Sequence, residues 1–287
     1  MEKPLVSIII LCYNQKNFVE EAINSAINQS YEHIEIIVID DASNDGSQEI
    51  ITRLGLKHGF KTILNKVNIG NCKSFNNGIA ISSGDYIIDL AADDILLPDR
   101  AELGVKNFQK LEPEYGVNYT DAIYIDQFGN RTSAHYKRNG QGELLEYPPE
   151  GFIFKELLQR YIICTPTMMM KRQVIEYIGG YNETLTYEDF DFWIRTSQKF
   201  KYSFTNEVLV KKRVVPGSLS SRQRKFANIH LKSTYITCQQ AARLCRHRED
   251  FAALRKRINY ESKWALRTGN ILLAAKFSGI YFKTIFR

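Results

Sequence analysis

An α/β fold, with a mostly parallel open sheet flanked by helices, is predicted by three observations. Short β-branched runs alternate with apolar stripes of helical period through the first hundred residues. The connections between them are short and rich in Asn, Asp, Gly and Ser. Two of the runs end in paired aspartates, at the strand ends where open sheets of this kind bind ligands.

Residues 6–11 read as a strand buried on both faces. Val19, Ile23 and Ile27 then recur at helical spacing, with Ala22 and Ala26 beside them, as one apolar stripe. A second buried strand at 34–39 runs into Asp40 and Asp41 and a turn-forming cluster, and Ser47 is placed as the N-cap of the next helix. A short strand at 62–64 and a helix over 73–81 follow. Gly84 and Asp85 turn the chain into a third buried strand at 86–90, which ends at Asp93 and Asp94. Pro98 suits the first turn of the helix after that. Strand–helix–strand repetition implies parallel strands with right-handed crossovers. The two acidic pairs should therefore meet at one sheet edge.

The pattern changes near residue 116. A hairpin is predicted at 119–125 with its turn at 126–130, then a helix carrying Phe154, Leu157 and Leu158. A strand at 165–170 and a helix opening at Glu188 come next, and beyond about Ser220 everything reads helical. This divides the chain into 1–220, with halves of about 1–115 and 116–220, and a basic helical region at 221–287.

Of the 287 residues, 44% are hydrophobic and 24% charged, which excludes collagen-like, low-complexity and small disulfide-rich classes. Five cysteines without a C-x-x-C pair read as reduced thiols, neither a disulfide frame nor a zinc site. No signal-peptide pattern and no apolar run of about 20 residues is present, so a cytoplasmic location is expected. The net charge of +6 hides an asymmetry. Residues 1–200 hold 19 basic against 28 acidic side chains, and residues 201–287 hold 19 against 4.

Adjacent carboxylates such as Asp93 and Asp94 at a strand end suit a hard divalent cation, Mg²⁺ or Mn²⁺, that also takes phosphate oxygens. The bland reading is a turn, since Asp is common there. Glu188 and Asp189 open a helix, where they suit either acid–base work or simple capping. No G-x-G-x-x-G follows the first strand and no G-x-x-x-x-G-K-[ST] occurs, against a dinucleotide oxidoreductase and an NTPase. The five histidines lack H-E-x-x-H spacing. A nucleotidyltransferase would need a glycine-rich basic loop where Cys12-Tyr13-Asn14-Gln15 stands.

Five stretches in order carry a resemblance: 6–14, 38–47, Asn68-Ile69-Gly70 with Asn76, 84–87 and 92–100. Together they resemble the family 2 glycosyltransferases of the Rossmann-like GT-A fold, and the segment 187–193 is similar to that family's later Glu-Asp motif. The likeness covers about 5–215. It implies an inverting, metal-dependent transfer of sugar from a nucleotide-sugar, UDP-linked, to a saccharide or lipid-linked acceptor in bacterial surface-polysaccharide assembly. It further implies that Asp41 bonds the nucleobase, with Tyr13 and Asp40 near it, and that Lys73 meets a phosphate. Asp93 would face the ribose and Asp94 the Mn²⁺ or Mg²⁺ on the diphosphate. Asp189 would be the general base, with Glu188 beside it near the acceptor. The family's further acid lies two or three residues before the Asp pair, whereas Asp89 here lies four before Asp93. The Gln-x-x-Arg-Trp element of processive synthases is missing, which points to transfer of single sugars. The alternative is a non-catalytic GT-A nucleotide- or glycan-binding protein in an assembly complex.

The basic end mixes Arg255, Lys256, Arg257, Lys263 and Arg267 with Trp264, Leu272, Phe277 and Phe282. Amphipathic helices of this kind suit an anionic membrane surface, at the inner face of the cell membrane. The bland reading is a helical cap with a solvated charged face. No nucleic-acid partner is expected, since no reader motif accompanies the charge.

Overall fold

The computed structural model describes residues 3–215 and 230–285. Its first part alternates as β1 (Val6–Cys12), α1 (Val19–Ile27), β2 (Ile34–Asp40), α2 (Ser47–His58), β3 (Lys61–Leu64), α3 (Asn71–Ile81) and β4 (Tyr86–Ala91). A two-residue strand β5 (Ile95–Leu96) and helix α4 (Arg100–Lys110) follow. Then come β6 (Tyr115–Ile125), β7 (Arg131–Ala134), α5 (Phe154–Gln159), β8 (Met169–Lys171), α6 (Arg172–Ile178), α7 (Asp189–Thr196) and β9 (Lys201–Arg213). Helices α8 (His230–Leu244), α9 (Arg248–Arg267) and α10 (Ile271–Ile285) close the described chain.

Among the described residues one sheet runs β3-β2-β1-β4-β8-β6-β9-β5, with β7 attached to β6. β3, β2, β1 and β4 are mutually parallel, as are β6 and β9. The short β8 pairs antiparallel with both β4 and β6 and so joins the two halves. Alternation along β1 splits the core. Ile8 and Ile10 pack with Val38, Ile88 and Leu90 on the side of α1, α2 and α4, while Ile9 joins Ile37, Ile39 and Ile87 in the other cluster. That second cluster extends through Leu157, Phe190 and Trp193 into Cys238, Phe251, Leu254, Ile258 and Phe277 of the last three helices. The basic helices thus share a core with the sheet.

Several expectations are corrected. Ser47 is the first residue of α2, behind Gly46 in a left-handed conformation (φ 97°), and its hydroxyl serves Gln15 N–H and Asp45 instead of capping. Pro98 precedes α4, whose N-cap is Asp99. The strand expected at 165–170 is a 3₁₀ turn at Thr165–Thr167 followed by β8. Strand β9, which sequence periodicity did not reveal, is the longest in the sheet among the described residues. The helical reading of 221–229 lies outside the described residues.

Arg100 is completely buried and has no carboxylate partner among the described residues. Its guanidinium instead donates to the carbonyls of Thr167 (3.1 and 2.8 Å) and Asn118 (3.2 Å), fixing the 3₁₀ turn against β6. Burial draws its pKa down to about 9. Arg100→Met should leave these carbonyls unmet, lowering stability by roughly 2–5 kcal/mol. The check is an earlier urea midpoint at unchanged denaturant slope.

Candidate active site

The carboxyl ends of β1, β2 and β4 lie side by side. Cys12 pairs with Asp40 and Leu11 with Ala91, while Asp41 N–H donates to Cys12 O (2.8 Å) and Ala92 N–H to Leu11 O (2.9 Å). The two acidic pairs therefore flank the end of β1, as the sequence led us to expect. Two non-glycine residues adopt left-handed backbone here, Asn14 (φ 53°) and Ala42 (φ 65°). Strained backbone of this kind collects at functional sites.

On the β2 side, Asp40 has no solvent exposure and is fully engaged in the turn. Its carboxylate accepts from Ser43 N–H (2.8 Å), Ser43 Oγ (2.5 Å) and Gln48 Nε2 (2.7 Å). Asp41 pins the segment before α3, accepting from Ile69 N–H (2.9 Å), Gly70 N–H (2.8 Å) and Asn65 Nδ2 (3.0 Å). A carboxylate has about four acceptor positions, so one remains for a ligand. Tyr13 stands exposed beside Asn14. Lys73 lies exposed in the first turn of α3 and makes no ion pair or hydrogen bond among the described residues.

On the β4 side, Arg213 at the end of β9 clasps the other pair. Its N–H donates to Asp94 Oδ1 (2.8 Å) and its Nε to the Asp93 carbonyl (3.0 Å). Nη1 reaches the Asp126 carbonyl (3.2 Å) and Nη2 the Glu21 carboxylate (2.5 Å), with the guanidinium over the Phe18 ring. Asp94 is almost wholly buried. Burial, reinforced by Asp93, pushes its pKa up to about 8, and burial raises Asp93 as well.

The third group comes from α7. Glu188 Oε2 accepts from Asn71 Nδ2 (2.7 Å), and Asp189 accepts from Phe190 N–H (2.7 Å) and Thr165 Oγ1 (3.3 Å). Arg100 holds the turn that presents Thr165, so it acts on Asp189 at one remove. Burial first, then the charges of Asp89 and Asp189, lift Glu188 to about 8. Asp89, bonded by the Tyr181 hydroxyl (3.1 Å), is itself raised by burial to about 7. The positive end of the α7 dipole favours the ionised form of Asp189. Burial wins, and its pKa rises despite Phe190 N–H, Lys212, Thr165 and Arg257.

Lys212 connects the groups. Burial works to lower its pKa, yet the field of its neighbours, which include Asp94 and Asp189, outweighs burial and raises it. The other two neighbours, Cys164 and Tyr124, have pKa values pushed up to about 12 by burial and stay neutral. The carboxylates at 94 and 189, far apart in sequence, thus both act on the charge of one ammonium group. Behind Asp189, Arg257 of α9 stacks on Tyr161 and Phe190 (4.2 and 4.8 Å) and pairs with Glu261 (3.2 Å), so the last helices buttress the site.

A divalent ion fits this chemistry. Asp94 and Asp93 are desolvated carboxylates whose anionic forms lack full compensation, and Mg²⁺ or Mn²⁺ needs only one or two carboxylates besides phosphates and water. Among the described residues no group of three or more acidic, His or Cys ligands exists, so phosphate oxygens and water would complete the shell. Asp89, Tyr181, Asn71, Lys212 and Arg213 were not singled out from sequence as site residues. The run Lys211-Lys212-Arg213 directly after Val208-Leu209-Val210 is the one signal that marked two of them.

A raised carboxyl pKa means the folded state holds the proton more tightly than the unfolded chain. The cost of ionising Glu188 therefore grows from about pH 4.5 and is complete above about pH 8. Glu188→Gln should raise Tm at pH 8, by roughly 2–4 °C for each kcal/mol relieved, with the gain vanishing near pH 4.5. Scanning calorimetry across that range reads the effect.

The sequence pattern of glycosyl transferase family 2 matches residues 7–179. An uncharacterised glycosyltransferase of Methanocaldococcus jannaschii is 31% identical over 226 residues, 75% of this chain and 72% of that protein. Other relatives are longer, and this chain spans 34% of one of them. Among solved structures, S. aureus TarS 1–349 in complex with UDP-GlcNAc superposes with a TM-score of 0.69 at 13% identity, covering 98% of this chain and 90% of that one. Mannosyltransferase PcManGT from Pyrobaculum calidifontis, in complex with GDP-Man and Mn²⁺, gives 0.61 at 17% identity, covering 98% and 74%. The acidic strand ends, the Glu-Asp helix opening and this shared architecture have one source: the chain belongs to the family 2 glycosyltransferases and has their GT-A fold.

Proposed function

We propose that the protein is an inverting, metal-dependent transferase that moves a single sugar from a UDP-sugar to the hydroxyl of a saccharide. The observation that carries this reading is the placement of both acidic pairs at the carboxyl ends of neighbouring parallel strands, with the charges of Asp94 and Asp189 both acting on Lys212. A nucleotide-sugar donor is supported by the ligands in the two structural neighbours, UDP-GlcNAc in one and GDP-Man with Mn²⁺ in the other. In this reading Asp41 and Tyr13 hold the base, Asp40 keeps their loop rigid and Lys73 meets a phosphate. Asp93 meets the ribose. Asp94, with Asp93 behind it, would hold Mn²⁺ or Mg²⁺, which when bound stabilises charge on the departing diphosphate.

Asp189 takes the proton of the acceptor hydroxyl as its oxygen attacks the anomeric carbon. The bond from that carbon to the diphosphate oxygen breaks, and the electron pair leaves with the nucleoside diphosphate. One base opposite the leaving group gives direct displacement and inverted configuration. The raised pKa of Asp189 makes it a better proton acceptor than a solvated aspartate. Glu188, held by Asn71, borders the acceptor side. We assign 1–220 to donor and acceptor binding, and we assign to the basic region 221–287, whose described helices span 230–285, the capping of the site and docking.

We further propose that the acceptor is lipid-linked, as in surface-polysaccharide assembly, and that α9 and α10 rest on an anionic membrane. No helix among the described residues is long and apolar enough to cross one. The outer faces of these helices expose Leu266, Ile271, Leu272 (82% exposed), Phe282 and Ile285 beside Lys263, Arg267, Lys276 and Lys283. Apolar area plus cationic charge is the combination that binds a headgroup boundary.

Asp189→Asn should lower transfer by about 10²–10⁴-fold while nucleotide binding by calorimetry survives. Activity of the unaltered protein should climb with pH, through a midpoint above the ordinary carboxylate range, because the base works deprotonated. Undiminished turnover in Asp189→Asn sinks the assignment, and a mass-spectrometric screen of nucleotide-sugars names the donor. In flotation, vesicles containing phosphatidylglycerol should carry the protein and neutral ones should not. The paired substitution Leu272→Glu with Lys276→Glu should abolish the difference.

A further inference from the structure

We propose that Lys212 is a diphosphate-binding residue, whose ammonium receives the leaving group's charge on the side of the cleft facing Asp189. The inference rests on the donor reading above and deepens it. Lys212 sits near the end of β9, opposite Tyr124 of β6 and directly before Arg213, which clasps Asp93 and Asp94. Strand alternation sends the two neighbouring side chains to opposite faces of the sheet.

The two side chains differ in what they are bonded to. Arg213 spends its backbone N–H and its guanidinium on four partners within the protein. Other buried or half-buried guanidinium groups are committed too, among them Arg100 to carbonyls, Arg138 to Asp121 (2.7 Å), and Arg257 to Glu261 and two aromatic rings. Lys212 is half-buried, yet it makes no hydrogen bond and no ion pair within 4.0 Å among the described residues. Asp94 and Asp189 hold its charge from a distance. An ammonium that bonds no described group has its three donors left for a ligand.

Sugar transfer builds negative charge on the diphosphate oxygen as the anomeric bond breaks. Lys212 stays protonated throughout and gives up no proton; it supplies a fixed positive charge where that electron pair arrives. A cation built into the protein also lets the cleft retain some affinity for the diphosphate when no divalent ion is bound. A mere counter-ion for the carboxylates would have no such effect on ligand phosphates.

The test is titration calorimetry of the full chain with UDP, GDP and uridine, first in excess EDTA and then with Mn²⁺. Wild type should bind its cognate diphosphate above uridine even in EDTA. Lys212→Met should weaken that metal-free diphosphate binding by about ten- to a hundredfold, leave uridine unchanged, and lower kcat more than it raises KM. Lys212→Arg should keep most of the affinity. Equal binding by wild type and Lys212→Met overturns the proposal, as does a loss shared by uridine and the diphosphate. If Lys212→Met does not fold, the wild-type comparison decides alone, because no preference for diphosphate over uridine in EDTA also overturns it. A wild type that binds neither diphosphate even with Mn²⁺ refutes the donor reading itself. Binding with Mn²⁺ and no effect at Lys212 refutes only this inference.

Discussion

Negative charge held away from water is the constraint around which this molecule is arranged. Asp89, Asp93, Asp94, Glu188 and Asp189 all have pKa values raised first by desolvation, and several raise each other. Carboxylates shielded in this way are costly unless a cation, a proton or well-aimed donors meet them. The fold supplies each remedy: Arg213 and Lys212 on one strand, Tyr181 and Asn71 from flanking elements, and Phe190 N–H at a helix start. The charge left uncompensated suits a cationic or proton-bearing ligand. Stability is given up at this spot, and function is where it is recovered.

How much was legible in sequence follows from the range of the forces involved. β1, α1, β2 and β4 were read almost to the residue, because β-branched runs and an unbroken apolar stripe are local signals that tertiary packing does not override. The acidic pairs at the ends of β2 and β4 were readable for the same reason, since parallel topology leaves little choice about where strand ends go. β9 was missed. It pairs with β6 across two register shifts and mixes exposed and buried residues, so no clean period of two marks it. Lys212, Arg213, Asp89 and Tyr181 owe their positions to that pairing and to the packing of α3 against the segment around residue 181. Such contacts join residues about 90 or more apart and leave no local signature.

The basic helices show how composition alone can mislead about division of labour. Their charge excess suggests an appendage, yet Arg257 lies buried against Tyr161 and Phe190, next to Asp189, with the buried Glu261 paired to it. Leu254, Ile258 and Phe277 continue the apolar cluster that begins at Ile9. The inward face therefore supports the geometry of α7, and only the outward face is free to meet a surface. One segment serves two purposes because a helix has two sides.

Arg213 has a consequence for how the protein comes into being. Its side chain grips Glu21 in the first helix, 192 positions upstream, and the aspartate pair between them. A nascent chain emerging from the ribosome can build its amino-terminal parallel strands early, but the clasp arrives only after residue 213 has cleared the exit tunnel. Until then the acidic strand ends lack their strongest organiser. Catalytic competence is consequently among the last properties acquired during synthesis, and a product cut short before β9 would carry most of the family's recognisable sequence without a working cleft.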